Sequence, residues 1–209
     1  MKTEDLIAKL AAQPAPPPLS APRMAWQMVA ATALSAAVVL AMIGIRDDLL
    51  AAITSPFVMA KTLLPAALAI LTLPLLLARL RPQSRPGLWP LTLPLFVALG
   101  LLVAGLATRP AAARFNDVSP FALTECIGLI LLISALPIAL ALRLMRRGAS
   151  TQPALTGALT GLAVSAASAT GYSLFCTQDN PIFYVVWYGT AIALATLAAA
   201  IAGSRFLRW

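Results

Sequence analysis

Two cysteines, Cys126 and Cys176, are the residues of this sequence best suited to chemistry at a defined site. The chain has no histidine, so it lacks the usual general base and the commonest metal ligand. A zinc finger or a disulfide-rich scaffold needs more ligands than these, and no Cys-x-x-Cys pair is present. Three uses of the thiols remain open: a disulfide, a soft-metal site completed by Glu125 or Asp179, or simple apolar packing.

The elements that must position these cysteines are apolar helices. The chain is 60% hydrophobic and 11% charged, whereas soluble domains carry about 25% charged residues. A helix that crosses a bilayer needs about 20 apolar residues, and none of the apolar runs alternates as barrel strands do. The sequence therefore predicts an all-α, polytopic membrane bundle of six transmembrane helices, at 24–45, 57–78, 88–107, 120–142, 153–175 and 182–203.

The basic residues predict the orientation of this bundle. Eleven Lys and Arg residues fall in the N-terminal tail, the second and fourth loops and the C-terminal tail, against three in the other loops. Because Lys and Arg concentrate on the cytoplasmic side, both termini are predicted in the cytoplasm of a bacterial inner membrane. The net charge of +8 is then explained by topology, and direct nucleic-acid binding is not required. Residues 1–23 form a cytoplasmic tail and residues 24–209 the transmembrane domain.

This topology places the two cysteines on the same, outer side of the membrane. Cys126 lies near the outer end of the fourth span, and Cys176 closes the fifth, which is its antiparallel neighbour in sequence. We therefore expect the two thiols to be able to approach each other. Lys61 and Glu125 lie inside spans near their outer ends, where we expect them to reach the water layer or to pair locally.

The N-terminal tail predicts a short amphipathic helix. Thr3 can cap it, and acidic residues occupy its first turn, where the helix dipole favours them. Leu6, Ile7 and Leu10 then share one face, which would rest on the lipid surface or bind a partner. In the fifth span, Gly157 and Gly161 predict close helix packing, either inside the bundle or at a dimer interface.

Several short segments, taken in order, resemble the NrsF-type membrane proteins. The resemblance covers essentially the whole chain and is densest from residue 146 onward. The segments are the opening Met1-Lys2-Thr3-Glu4-Asp5-Leu6-Ile7, Arg46-Asp47-Asp48-Leu49, Lys61, Leu144-Met145-Arg146-Arg147-Gly148-Ala149 with Pro153, Tyr172 before Cys176, Pro181, Trp187-Tyr188 and the closing Arg205-Phe206-Leu207-Arg208-Trp209.

The resemblance implies regulation rather than catalysis. NrsF-type proteins are six-span anti-sigma factors that hold an extracytoplasmic-function (ECF) sigma factor inactive at the membrane, without an enzymatic cofactor. Their two cysteines, implicated in sensing metals or oxidants, correspond here to Cys126 and Cys176, so a soft metal ion would act as a signal. This sequence departs from the family pattern at Phe175, the position before the second cysteine, where a polar residue, often His, is expected.

Two other functions were weighed from the residues. A small membrane transporter or channel would need polar groups near the midplane or repeated halves, and neither is clear in the sequence. A membrane thiol oxidoreductase would need a closely spaced cysteine pair and a quinone site. The favoured hypothesis is a membrane anti-sigma factor whose N-terminal helix contacts an ECF sigma factor.

Overall fold

A computed structural model describes residues 3–12, 20–81, 84, 86–115, 119–148 and 150–208, without the side chains of Leu10 and Ala113. Within these residues the fold is all-helical and contains no strand. The α-helices are α1 (Thr3–Ala11), α2 (Ala21–Ile43), α3 (Leu49–Ala52), α4 (Pro56–Ala78), α5 (Thr92–Thr108), α6 (Pro120–Met145), α7 (Pro153–Tyr172) and α8 (Pro181–Phe206). Short 3₁₀ turns at Trp89–Leu91 and Ala111–Ala113 precede α5 and α6.

Local sequence signals set where the long helices begin. Pro56, Pro120, Pro153 and Pro181 each occupy the first turn of a helix, where the missing N–H has no helical partner to lose. At the C-terminal end of α2, Gly44 adopts a φ of 91°, a left-handed conformation that turns the chain away from the helix axis.

Within the described residues, five segments are long and apolar enough to cross a membrane: α2, α4, Trp89–Thr108 with α5, α6 and α8. They expose large apolar side chains such as Trp26, Leu34 and Phe96 on their outer faces. A soluble protein rarely exposes such a surface, so the chain is a membrane protein. The six-span prediction is thus supported for five segments.

The remaining predicted span forms α7, which is the central helix of the bundle. It packs against α2, α4, α6 and α8, and its Ser, Thr and Gly residues are largely buried. The helix ends at Tyr172, three residues before the predicted boundary, so Cys176 lies in the loop that follows.

The small residues of α7 serve packing inside the bundle. A Cβ added to Gly161 would lie 2.7 Å from the Ala199 Cβ, and one added to Gly203 would lie 2.7 Å from the Gly157 Cα. An added Cβ at Gly157 would collide with the Ala199 carbonyl oxygen. The glycines therefore let the backbones of α7 and α8 come into contact. Of the two alternatives that the sequence left open, they form a packing face inside the bundle.

Candidate functional site

The candidate site is built on the loop 173–180, which joins α7 to α8. Asn180 caps α8 by accepting a hydrogen bond from the Ile182 N–H at 3.0 Å, and its Nδ2 donates to the Arg114 carbonyl oxygen at 2.8 Å. The Arg46 N–H donates to the Leu174 carbonyl oxygen at 3.2 Å. The loop is thus tied to the segments that follow α2 and α5.

The Arg46 side chain packs against this loop and binds the carboxylates of Asp48 and Asp179. Its guanidinium donates to both oxygens of Asp48, at 2.7 and 2.9 Å, and to both oxygens of Asp179, at 2.9 and 3.0 Å. Its side chain is 4% exposed. This doubly bidentate geometry uses the planar fork that lysine lacks.

Lys61 approaches the same carboxylate from inside the bundle. The side chain extends from α4 and is fully buried. Its Nζ donates to Asp179 Oδ1 at 2.6 Å, to the Cys176 carbonyl oxygen at 2.6 Å, and to the Gln178 carbonyl oxygen at 3.5 Å. Asp179 therefore receives hydrogen bonds from both cations.

We call Arg46, Asp48, Lys61 and Asp179 the charge cluster. Two positive and two negative side chains balance within it, which offsets part of the cost of burying the cations. The hydrogen bonds that Arg46 donates to Asp48, and then those to Asp179, raise the pKa of its guanidinium. Burial by itself raises the pKa of Asp179, but hydrogen bonds and charge from Arg46 and Lys61 outweigh burial and hold that pKa below its usual range.

The pairing of Lys61 corrects the sequence expectation. Lys61 does not reach the water layer, and its partner is Asp179 and not Glu125. The physical reason is that α4 packs directly on α7, so the lysine meets the carbonyl groups and the carboxylate of the loop after α7. Sequence reasoning considered Asp179 only as an added metal ligand, and no local spacing connects it with Arg46 or Lys61.

Both cysteines belong to one buried cluster, to which this loop contributes Cys176. Cys126, in α6, is fully buried and Cys176 is 4% exposed; both are free thiols. Tyr172 belongs to the same buried cluster, and its ring packs edge-on against Tyr188 at 5.6 Å between ring centroids. The carbonyl group of Cys176 accepts from Lys61 and, at 3.3 Å, from Arg46, so this residue connects the thiols to the charge cluster.

The metal hypothesis finds no preformed site in the part of the chain described. No group of three or more His, Cys, Asp and Glu side chains is placed there to hold a metal ion. A metal would have to use the two thiols with few other protein ligands, and the thiol chemistry stays a prediction.

The predicted partner-binding helix stands apart from this site. It forms α1, and the side chains of Leu6 and Ile7 are 40% and 60% exposed. The side chain of Leu10 lies outside the described residues. Leu6 and Ile7 are therefore available for contact, although their role stays a prediction.

Apolar helices around a central small-residue helix, with buried ion pairs at one end, define a polytopic helical membrane protein. A family model described as "Negative regulator of sigma F" (NrsF) matches residues 10–209. The chain belongs to this family, a family of regulators rather than enzymes, and the resemblance seen in the sequence is confirmed.

Two curated relatives match over the whole length of both chains. The "Probable anti-sigma-F factor NrsF" of Azospira oryzae is 31% identical, and the "Anti-sigma-F factor NrsF" of Caulobacter vibrioides is 30% identical, each with 100% of both chains covered. No solved structure matches this chain.

Proposed function

We propose that this protein is a membrane-bound anti-sigma factor that sequesters an ECF sigma factor and releases it on an envelope stress. The observation that carries the proposal is the family match over residues 10–209, together with full-length relatives named anti-sigma-F factors. Among the described residues, the buried charged side chains are Arg46 and Lys61, which lie at one end of the bundle, and this placement does not favour the transporter or channel alternative.

The proposed topology has six crossings of the inner membrane and both termini in the cytoplasm. Its support is that α7 has 20 residues, enough for about 30 Å of helix, and is packed in line with the five apolar segments. A central helix shielded from lipid by its neighbours can cross the membrane without being strongly apolar. The end that carries the termini also carries most of the Lys and Arg residues.

The proposed contact for the sigma factor is α1. Leu6 and Ile7 are exposed apolar residues on a helix of nine residues, which is short for a stable isolated helix in water. Packing against a partner groove would stabilise such a helix and bury its apolar face.

Co-purification from detergent tests this contact. We expect the full-length protein to retain its sigma factor and the deletion of residues 2–13 to weaken capture. In the full-length chain, Leu6→Asp and Ile7→Asp should each weaken capture, whereas Ala8→Asp, on the opposite helix face, should not. Equal capture by all variants would move the contact to the basic loops at that end, and failure to capture any sigma factor would contradict the function.

The proposed sensor is the thiol pair, with a soft metal ion or an oxidant as the signal. Modification of Cys176 would disturb a backbone carbonyl that both Lys61 and Arg46 use, and so would reach the charge cluster. A signal can release the sigma factor only by favouring one packing of the bundle over another.

A reporter of sigma-dependent transcription tests the sensor. Cys126→Ser and Cys176→Ser should each abolish induction by cadmium or diamide while membrane insertion is retained. The double variant should resemble either single variant, because each removes the same pair. Normal induction in both single variants would exclude the thiols as the sensor without contradicting sigma binding.

A further inference from the structure

A groove of about 700 Å³ runs between α6 and α8, which is a volume typical of ligand-binding pockets. Most of its lining is apolar, and alanines such as Ala135, Ala139, Ala198 and Ala202 leave the space between the two helices unfilled. The first three of these are exposed, so the groove is open along its outer side. Because α6 and α8 are both long and apolar enough to cross a membrane, that open side faces lipid.

The floor of the groove is closed by the bundle itself. Ser134 and Ala199 line it and are buried, and Ala199 packs against the glycines of α7. The Ser134 hydroxyl donates to the Leu131 carbonyl oxygen at 3.1 Å, so it is satisfied within its own helix. The long part of the groove therefore suits an apolar chain.

One end of the groove is basic. Arg143 and Arg146 line it, and together with Arg147 they line a second cavity of about 400 Å³. Arg146 keeps helical backbone angles (φ −57°, ψ −23°), so Arg143 and Arg146 lie on the same side of α6. All three arginines are exposed, and none forms an ion pair with a described residue. Their positive charge is therefore available to an anion from outside the chain.

The length of the groove matches one leaflet of a bilayer. Its lining residues on α8 run from Ala195 to Phe206, which corresponds to about 16 Å of helix. Half of the hydrocarbon core of a bilayer is about 15 Å thick. An acyl chain that begins at the basic end would therefore occupy the groove as far as the middle of the membrane.

These features select the chemistry of the occupant. A water-soluble anion or an acidic protein surface would pair with the arginines, but it would not fill an apolar groove between two membrane spans. A neutral lipid would fill the groove and leave the arginines unpaired. A phospholipid with a net negative headgroup does both, since arginine binds phosphate oxygens with its planar fork. Basic pockets between membrane helices bind anionic headgroups in this way.

We propose that the groove between α6 and α8 binds one anionic phospholipid. An acyl chain lies along the alanines, and the headgroup phosphate contacts Arg143 and Arg146. The proposal does not depend on sigma-factor binding or on the thiols.

Native mass spectrometry of the detergent-solubilised, full-length protein tests the proposal, because it resolves each bound lipid by mass. The probes are phosphatidylglycerol and phosphatidylethanolamine with identical acyl chains, which share the phosphate and differ in net charge. The charge variants are Arg143→Gln and Arg146→Gln, and Arg81→Gln is the matched control. Arg81 is exposed and lines neither cavity, and it follows Leu80, which packs in one cluster with Met145 at the same end of the bundle.

We expect phosphatidylglycerol to bind at least fivefold more tightly than phosphatidylethanolamine. Arg143→Gln and Arg146→Gln should each weaken phosphatidylglycerol by roughly fivefold, which is the contribution of one arginine near an anionic lipid. Arg81→Gln should leave the affinity unchanged. Ala198→Phe, which fills the groove from its exposed rim, should also weaken binding, whereas Ala104→Phe, at an exposed alanine of α5, should not.

The proposal is overturned by equal affinity for the two lipids, by unchanged affinity in both arginine variants, or by an equal loss in Arg81→Gln. Unchanged affinity in Ala198→Phe would also overturn it, because the lipid would then lie outside the groove. A lipid-free dimer that Ala198→Phe dissociates would assign the groove to a second copy of the chain. Loss of sigma-factor capture in the arginine variants, with lipid binding unchanged, would assign the arginines to that partner instead.

Melting temperatures separate loss of binding from loss of folding. Without lipid, Arg143→Gln and Arg146→Gln should melt at the wild-type temperature, because exposed arginines without an ion pair contribute little to stability. Added phosphatidylglycerol should raise the Tm of the wild type more than that of either variant, since a ligand stabilises the state that binds it. Equal shifts in all three proteins would contradict the assignment of the headgroup to these arginines.

Discussion

Replacing Asp179 with asparagine should destabilise the protein strongly. The change keeps the side-chain shape but removes the carboxylate that both Lys61 and Arg46 share. At 2.6 Å, the attraction between Lys61 and Asp179 is about 6 kcal/mol for an effective dielectric constant of 20. Desolvation offsets part of this energy, and breaking a buried pair costs about 3–5 kcal/mol because one charge stays buried and unpaired.

Thermal unfolding of the purified protein in detergent measures this cost. For a chain of this size, 1 kcal/mol corresponds to about 2–4 °C, so Asp179→Asn should lower the apparent Tm by roughly 6–20 °C. Asp48→Asn is the matched control: Asp48 also binds Arg46, but it is 61% exposed, so its loss should lower the Tm far less. Equal Tm values for both variants and the wild type would refute the idea that the charge cluster holds this end of the bundle together.

The pH dependence provides a second test of the same prediction. Because the pKa of Asp179 is lower in the folded protein than in the unfolded chain, its stabilisation is complete above about pH 4 and is lost as the pH falls through the folded pKa. The difference in Tm between the wild type and Asp179→Asn should therefore narrow below about pH 4. A difference that stays constant down to pH 2 would contradict the assignment.

Three further predictions follow from packing, burial and topology. Gly157→Ala should cost about 1–3 kcal/mol in unfolding free energy, since its Cβ meets the backbone of α8, whereas Gly128→Ala, with open space around the new Cβ, should be nearly neutral in the same melt. Both cysteines should react slowly with N-ethylmaleimide in the folded protein and rapidly after denaturation, and fast labelling of the folded protein would contradict their burial. Reporter fusions at Arg147 should read cytoplasmic and those at Thr108 and Gln178 periplasmic, and one clear reversal would overturn the proposed six-span topology.

The sequence by itself determined the class of the protein and the extent of its long helices. An apolar run of about 20 residues is a local property, because the bilayer requires every backbone group to bond within its own segment. The starts at Pro120 and Pro153 are also local, because proline in the first turn of a helix loses no helical hydrogen bond. The family could also be read from the sequence, since its short segments keep their order along the chain.

The tertiary structure decided which residues meet. Lys61 pairs with Asp179 across 118 positions, and no periodicity in either segment encodes that contact. The sequence placed Lys61 near a membrane surface, where reaching water costs little, but the packing of α4 on α7 closed that route and supplied a carboxylate instead. Likewise, the small size of Gly157 and Gly161 predicted close helix packing. Only the fold showed that the packing partner is α8 of the same chain, because contacts between distant segments depend on how the whole bundle is arranged.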